Sequence, residues 1–209
     1  MIIIRFFFLW HKDKKFSGIS YLYSMEVFSL VTGILYLLLE IRQKNAMWIV
    51  GILTAGAAVV VFAREQLYAT MCLNIYYVII SFWGLYTWRR DARKVAPEEI
   101  HLEKLTLRTI LLSVLLLVGG TAVFLWLLRT LGDPMSGLDA FVTILSAIAT
   151  WWLTRSIPQQ WILWIIADAL SAWLCWRTGI PWMALLYIAY CLGAIYGFYH
   201  WLKGGRYVQ

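Results

Sequence analysis

Trp161, Trp164 and Asp168 in the stretch QQWILWIIADAL (residues 159–170) recur at i, i+3 and i+7. On a helix that spacing brings two indoles and a carboxylate onto one face. Ring quadrupoles attract a cation, more strongly once it is desolvated, and a carboxylate supplies counter-charge and accepts hydrogen bonds. The chemistry such a trio fits is capture of a flat, cationic ligand. The neighbours of Asp168 are apolar, and a charged side chain at the centre of a membrane span costs roughly 2.5–3.5 kcal/mol on insertion scales. A carboxylate kept there needs a ligand path, or a structural partner such as a Tyr hydroxyl or an Arg at a helix end. The indoles have a plainer alternative, membership of an interfacial aromatic belt. Trp161, near the span end, suits the belt. Trp164, one turn deeper and on the face of Asp168, suits it less.

The elements that carry this face are membrane spans. Of 209 residues, 62% are hydrophobic and only 14% charged, and the mean hydropathy is +0.73. Soluble domains carry about 25% charge. The aromatic load (13 Trp, 12 Tyr, 10 Phe) suits a bilayer with rings at its interface. The apolar runs are continuous, unlike the alternating segments of about ten residues in a β-barrel. The fold class is therefore all-α, a polytopic membrane protein with the lipid bilayer as partner. The net charge of +7 is spread over the connections, which argues for cytoplasmic loops and against a nucleic-acid surface. Cys72, Cys175 and Cys191 lie inside predicted spans and read as buried free thiols. His11, His101 and His200 are scattered without HxxxH or CxxC spacing, so no metal site is expected. GxxxxGK[ST], GxSxG and HExxH are all missing, so neither a phosphate-binding loop nor a nucleophile motif is on offer. No cofactor is implied, and one carboxylate without a second group at defined spacing is poor evidence for an enzyme.

Seven spans are predicted near 25–40, 46–63, 68–88, 109–129, 139–154, 159–176 and 182–202, each close to the length of about 20 residues that a bilayer demands. The longest polar connection is RRDARKVAPEEIHLEKLTLR, 89–108. Pro97 before EEI suits the first turn of a short amphipathic helix; a solvated charged linker is the alternative. The tail MIIIRFFFLWHKDKKFSGISYLYS, 1–24, has an apolar run too short to span and lacks the order of a signal peptide. It is expected to be an upstream extension or a start-site artefact outside the native chain.

A shift of 113 residues superposes 48–88 on 161–201 without a gap, and ten of 41 positions are identical, among them Trp48/Trp161, Arg64/Arg177, Tyr77/Tyr190, Gly84/Gly197 and Trp88/Trp201. Shared apolar composition inflates the count, but the ungapped length argues for a true repeat of three helices. Three is odd, so two units in direct succession would be inverted. The fourth span, ILLSVLLLVGGTAVFLWLL, turns the chain once more and makes them parallel, with an axis along the membrane normal. Transporters use this plan, with substrate bound near mid-membrane between the repeats. The expected organisation is a tail (1–24), a first repeat (25–88), a linker loop with the fourth helix (89–138), a second repeat (139–202) and a C-terminal tail (203–209). The side holding loops 1–2, 3–4, 5–6 and the C-terminus carries eleven Lys and Arg; the opposite loops carry only Arg64, Arg129 and Arg177, with four more in the N-terminal tail. That bias predicts a cytoplasmic C-terminus.

The repeat extends the set of candidate ligand-binding residues. Asn74 and Tyr77 are i, i+3 on the third span, and their equivalents on the seventh are Tyr187 and Tyr190. Those four side chains are candidates to line the axis, with interhelical hydrogen bonding as the alternative. Glu40, at the end of the first span, is a further candidate nearer the interface. Gly193 and Gly197 are read as packing residues.

Together LYATMCLNIYYVIISFWGLYTW in the third span, the parallel-repeat plan and W161-x-x-W164-x-x-x-D168 resemble the PnuC-type vitamin transporters over about residues 25–202. The resemblance implies facilitated diffusion of a B vitamin or its precursor across the bacterial inner membrane, with trapping by a cytosolic kinase. Nicotinamide riboside members typically show WxxWxxxN; Asp168 makes this chain look like the thiamine branch. The expectation is a thiamine (vitamin B1) carrier, Trp161 and Trp164 holding the cation and Asp168 offsetting its charge or binding the aminopyrimidine. Nicotinamide riboside is the alternative cargo. A non-transporting membrane interaction protein and a membrane enzyme are the rivals of other classes. A homo-oligomer is compatible with all of them.

Overall fold

The computed structural model describes residues 31, 33–64, 68–96, 99–130, 137–177 and 181–208. Among them are seven α-helices: α1 (33–41), α2 (Ala46–Arg64), α3 (Tyr68–Asp91), α4 (Leu107–Thr130), α5 (Gly137–Thr154), α6 (Gln160–Arg177) and α7 (Pro181–Gly204). The expected tail 1–24 and the start of the first span lie outside the described residues. Each described helix end, the start of α1 aside, falls within a few residues of its predicted bound, the drift expected where polar ends fray into loops.

The bundle is apolar on its outside. Leu53, Ile79, Leu115 and Val118 are exposed, as are Trp126, Trp176 and Tyr199. Helix α4 is the extreme case. Its stripe Thr109, Ser113, Leu117 and Gly120 packs on α5: Ser113 Oγ accepts from Trp152 Nε1 at 2.9 Å, Leu117 joins the α5–α6 core, and Gly120 faces Ile144. A long apolar helix with one narrow packed stripe needs a nonpolar solvent round the rest of it.

Inside, α2 packs chiefly on α3 and α6 on α7. The two pairs use the same device. Trp48 meets Trp88 edge-on, centroids 5.1 Å apart, and Trp161 meets Trp201 edge-on at 5.5 Å. Beneath each indole lies a glycine: a Cβ on Gly84 would sit 2.5 Å from Trp48 Cζ2, and one on Gly197 2.7 Å from Trp161 Cζ2. All four tryptophans are fully buried. Trp88 Nε1 donates to the Leu153 carbonyl at 3.0 Å, and Trp201 Nε1 to the Ile41 carbonyl at 3.0 Å. The 113-residue register extends beyond the stretch where it was read. Gln43 (φ 49°) and Ser156 (φ 54°), 113 apart, both end a helix in the left-handed region, the conformation that exposes a helix C-terminus to capping.

One end of the bundle is closed by the connections. Ile100–Leu102 form β1, which pairs in parallel with β2, Gly205–Tyr207. This corrects two expectations. Ile100, the last residue of the expected short helix, is strand, and three residues of the expected C-terminal tail are strand as well. All three residues of β1 are buried, and Leu102 and Ile100 join the tryptophan core; burying a short β-favouring run there outweighs its weak helical start. Gln43 Nε2 donates to the His101 carbonyl and to Ser156 Oγ, each at 2.9 Å, while Gln43 Oε1 accepts from His101 N at 3.0 Å. Arg155 pairs with Glu103, its Nε donating at 3.1 Å. Cys175 is buried as expected, Cys191 partly so, but Cys72 is exposed on the apolar outer surface; a thiol is apolar enough to face hydrocarbon.

Candidate functional site

Helix α6 starts at Gln160, after the left-handed turn at Ser156 and Pro158. That start sets the rotation of everything after it. Trp161 turns into the Trp201–Gly197 notch described above. Trp164 and Asp168 face the interior one and two turns further on. Asp168 is only 2% exposed, and its Oδ1 has no hydrogen-bond partner among the described residues. The Nε1 of Trp164 and the hydroxyl of Tyr190 on α7 are buried without partners too. Tyr190 and Glu40 are both within electrostatic reach of Asp168. Glu40 on α1 is 4% exposed and accepts from Gln160 Nε2 at 3.2 Å. Tyr36, one turn before Glu40, reaches both Glu40 and Tyr77.

An acid, an indole N–H and a phenol, all buried without hydrogen-bond partners, are costly to leave so, at about 1–3 kcal/mol each. Their clustering at a helix interface is the signature of a place where a polar guest supplies the missing partners. The acids and the aromatic faces make that guest cationic and flat.

The sequence-derived candidates lie on α1, α3, α6 and α7. Asp168 is in electrostatic reach of Tyr190 and Glu40, and Tyr77 of Tyr36, while Trp164 stands one turn before Asp168 on α6. Tyr187 joins by stacking edge-on against Tyr190 at 6.2 Å. Asn74 is fully buried on α3, one turn before Tyr77. Trp161 fills a glycine notch that duplicates that of Trp48, and its Nε1, like that of Trp164, is buried without a partner among the described residues. Sequence reasoning missed Gln160 and Tyr36. Gln160 stands four residues before Trp164 and eight before Asp168, on their face. Among the described residues no group of three or more His, Cys, Asp or Glu could hold a metal.

A helical, multi-pass membrane protein with a buried, partly unsatisfied aromatic and acidic cluster is the class these observations define. Residues 23–203 match the family model described as nicotinamide mononucleotide transporter. This chain belongs to that family, the PnuC-type transporters, and is not an enzyme. It is 30% identical over 184 residues to the nicotinamide riboside transporter PnuC of Neisseria mucosa, covering 83% of this chain and 70% of that one. The PnuC of Haemophilus influenzae, also described as a nicotinamide riboside transporter, is 27% identical over 175 residues, covering 83% and 76%. A solved structure described as the crystal structure of the vitamin B3 transporter PnuC superposes with a TM-score of 0.66 at 26% identity, covering 96% of this chain and 86% of that one. The family resemblance is thus established. The thiamine branch gains no support from these relatives, whose names fit the alternative cargo better. The reason is chemical: both vitamins are flat cations, so a carboxylate at residue 168 does not by its charge tell them apart.

Proposed function

We propose that this chain carries a nicotinamide riboside-type vitamin cation across the bacterial inner membrane by facilitated diffusion. The carrying observation is the unsatisfied cluster around Asp168, two turns inside α6, with acids, phenols and an indole converging and no basic side chain bonded to Asp168 among the described residues. The pyridinium ring would lie on Trp164, with Asp168 as its counter-charge and Tyr190 and Tyr77 as hydrogen-bonding walls. Trp161 would hold α6 in register beneath it, and Asn74 and Tyr187 would support the two tyrosines. The two three-helix units, with α4 as linker outside them (3+1+3), would rock about the site to expose it alternately. The repeated tryptophan–glycine notches support that reading, because they let each unit move as a packed body. Phosphorylation in the cytosol would then trap the cargo, and the C-terminus would face that side.

Thiamine is the second reading, kept by one feature: a carboxylate stands at residue 168, where the riboside members typically show Asn. Calorimetric titration of the purified chain with nicotinamide riboside and thiamine side by side tests both. Riboside binding with no thiamine binding is the expected result. The reverse moves the substrate to thiamine. Heat from neither, in folded protein, withdraws the transporter reading in favour of a membrane interaction protein.

A further inference from the structure

Gln160 and Glu40 form a buried polar pair that the fold does not require. Under the 113-residue shift Gln160 corresponds to Met47 and Glu40 to Leu153. Met47 and Leu153 are both fully buried in the tryptophan core. The bundle therefore closes round a methionine and a leucine at one pair of equivalent positions, and round an amide and an acid at the other. An apolar pair avoids the cost of burying polar groups, so the exchange to Gln and Glu needs a purpose other than packing.

The pair is also incomplete. Gln160 is 0% exposed; its Nε2 is used on Glu40 Oε1, and its Oε1 has no partner among the described residues. Gln160, Trp164 and Asp168 stand at i, i+4 and i+8, so they mark about 12 Å of one face at 1.5 Å per residue. A cargo stacked on Trp164 with its cationic end at Asp168 thus has its other end at the pair. What waits there is the unpartnered amide oxygen of Gln160, on the same side chain whose Nε2 holds the Glu40 carboxyl group at 3.2 Å. Adjacent hydroxyls on a five-membered sugar ring present two donors side by side. We propose that Glu40 and Gln160 read the vicinal diol of a riboside cargo, and so make the site select a riboside over a flat cation that lacks the diol. This inference rests on the cation-carrier reading above. Thiamine has no vicinal diol, its hydroxyl being a single primary one.

The test uses the full chain in detergent and calorimetry with three probes: nicotinamide riboside, N-methylnicotinamide (the same cation without sugar) and thiamine. The variants are Glu40→Leu, Gln160→Met and the double variant, each bringing in the residue type that the repeat already accommodates, with thermal melting as a folding check. Glu40→Gln, which keeps the shape, serves where Glu40→Leu does not fold. We expect the unaltered chain to prefer the riboside over N-methylnicotinamide by about 100-fold. The double variant loses that preference: its affinity for the riboside falls by about 100-fold more than its affinity for N-methylnicotinamide. Folded variants that keep the preference overturn the inference. So does an unaltered chain that binds all the cations alike, with the carrier reading left standing. An unaltered chain that binds none of the three probes removes the carrier reading and the inference with it.

Discussion

Asp168 combines near-complete burial with an oxygen that has no partner, and its neighbour in electrostatic reach, Glu40, bears the same sign. A buried acid with an unpartnered oxygen keeps hydrogen-bonding capacity that a cation can use. Asp168→Ala is therefore expected to weaken cargo binding by about 100-fold or more, while the melting temperature holds or rises. A fall in stability with binding intact would make Asp168 a structural residue. Asp168→Asn keeps the shape and removes the charge; riboside binding should survive it within about tenfold, and calorimetry reads that directly. Trp161 should behave in the opposite way. Its ring fills the Trp201–Gly197 notch, so Trp161→Phe should lower the melting temperature and leave affinity nearly unchanged. Trp164→Ala should do the reverse. The motif in the sequence put these two indoles on an equal footing, because spacing reports a shared face and not what each ring touches.

At the scale of elements, the repeat makes paired predictions. A Cβ on Gly197 would press on the Trp161 ring as one on Gly84 would press on Trp48. Gly197→Val should destabilise the bundle by about 1–3 kcal/mol through overpacking, and Gly84→Val by a similar amount; chemical or thermal melting in detergent measures both. The two left-handed helix ends are not equal partners in the same sense. Ser156→Gly removes backbone strain of roughly 1 kcal/mol and loses the hydroxyl that Gln43 contacts, so its net effect should be small. Gln43→Gly relieves the same strain but loses three hydrogen bonds that join α1, β1 and the α5–α6 turn. It should be clearly destabilising. The helices themselves were legible from length and hydropathy. The β1–β2 pair was not: three residues of strand at 100–102 meet three at 205–207, and no local pattern reports a partner a hundred residues away.

At the scale of the whole molecule, the capped end carries a pH dependence. Burial pushes the His101 imidazole down to about 4, with Asp91 pulling it up and Lys94 and Arg90 pushing it down further. Asp91 is itself desolvated, which raises it, yet hydrogen bonds from Arg90 and Lys94 hold it below the usual carboxylate range, so it stays charged over the relevant window. The unfolded imidazole takes a proton near 6.5 and the folded one only near 4. The unfolded state thus binds more protons in between, and stability falls as pH drops from about 6.5 to about 4, by on the order of 3 kcal/mol, then levels off. Melting temperatures across pH 4–8 should show that slope, and His101→Phe should flatten it. The distribution of Lys and Arg makes a separate expectation: a reporter fused to the C-terminus should register the cytoplasm.

Composition, hydropathy and one motif determined that this chain is a helical membrane protein, that it repeats over 113 residues, and that Asp168 is its unusual residue. These properties are local or periodic, and a linear text displays them. Only the tertiary structure decided that Trp161 enters the Trp201–Gly197 notch, that Gln160 meets Glu40 across 120 positions, and that Gln43 ties three segments together at one end. Each of those depends on which way a helix is turned and what stands opposite it. Side-chain direction follows from rotation of a few tens of degrees, set by the Trp–Gly notches and by the left-handed turns at Gln43 and Ser156, and such rotation leaves no trace in spacing alone.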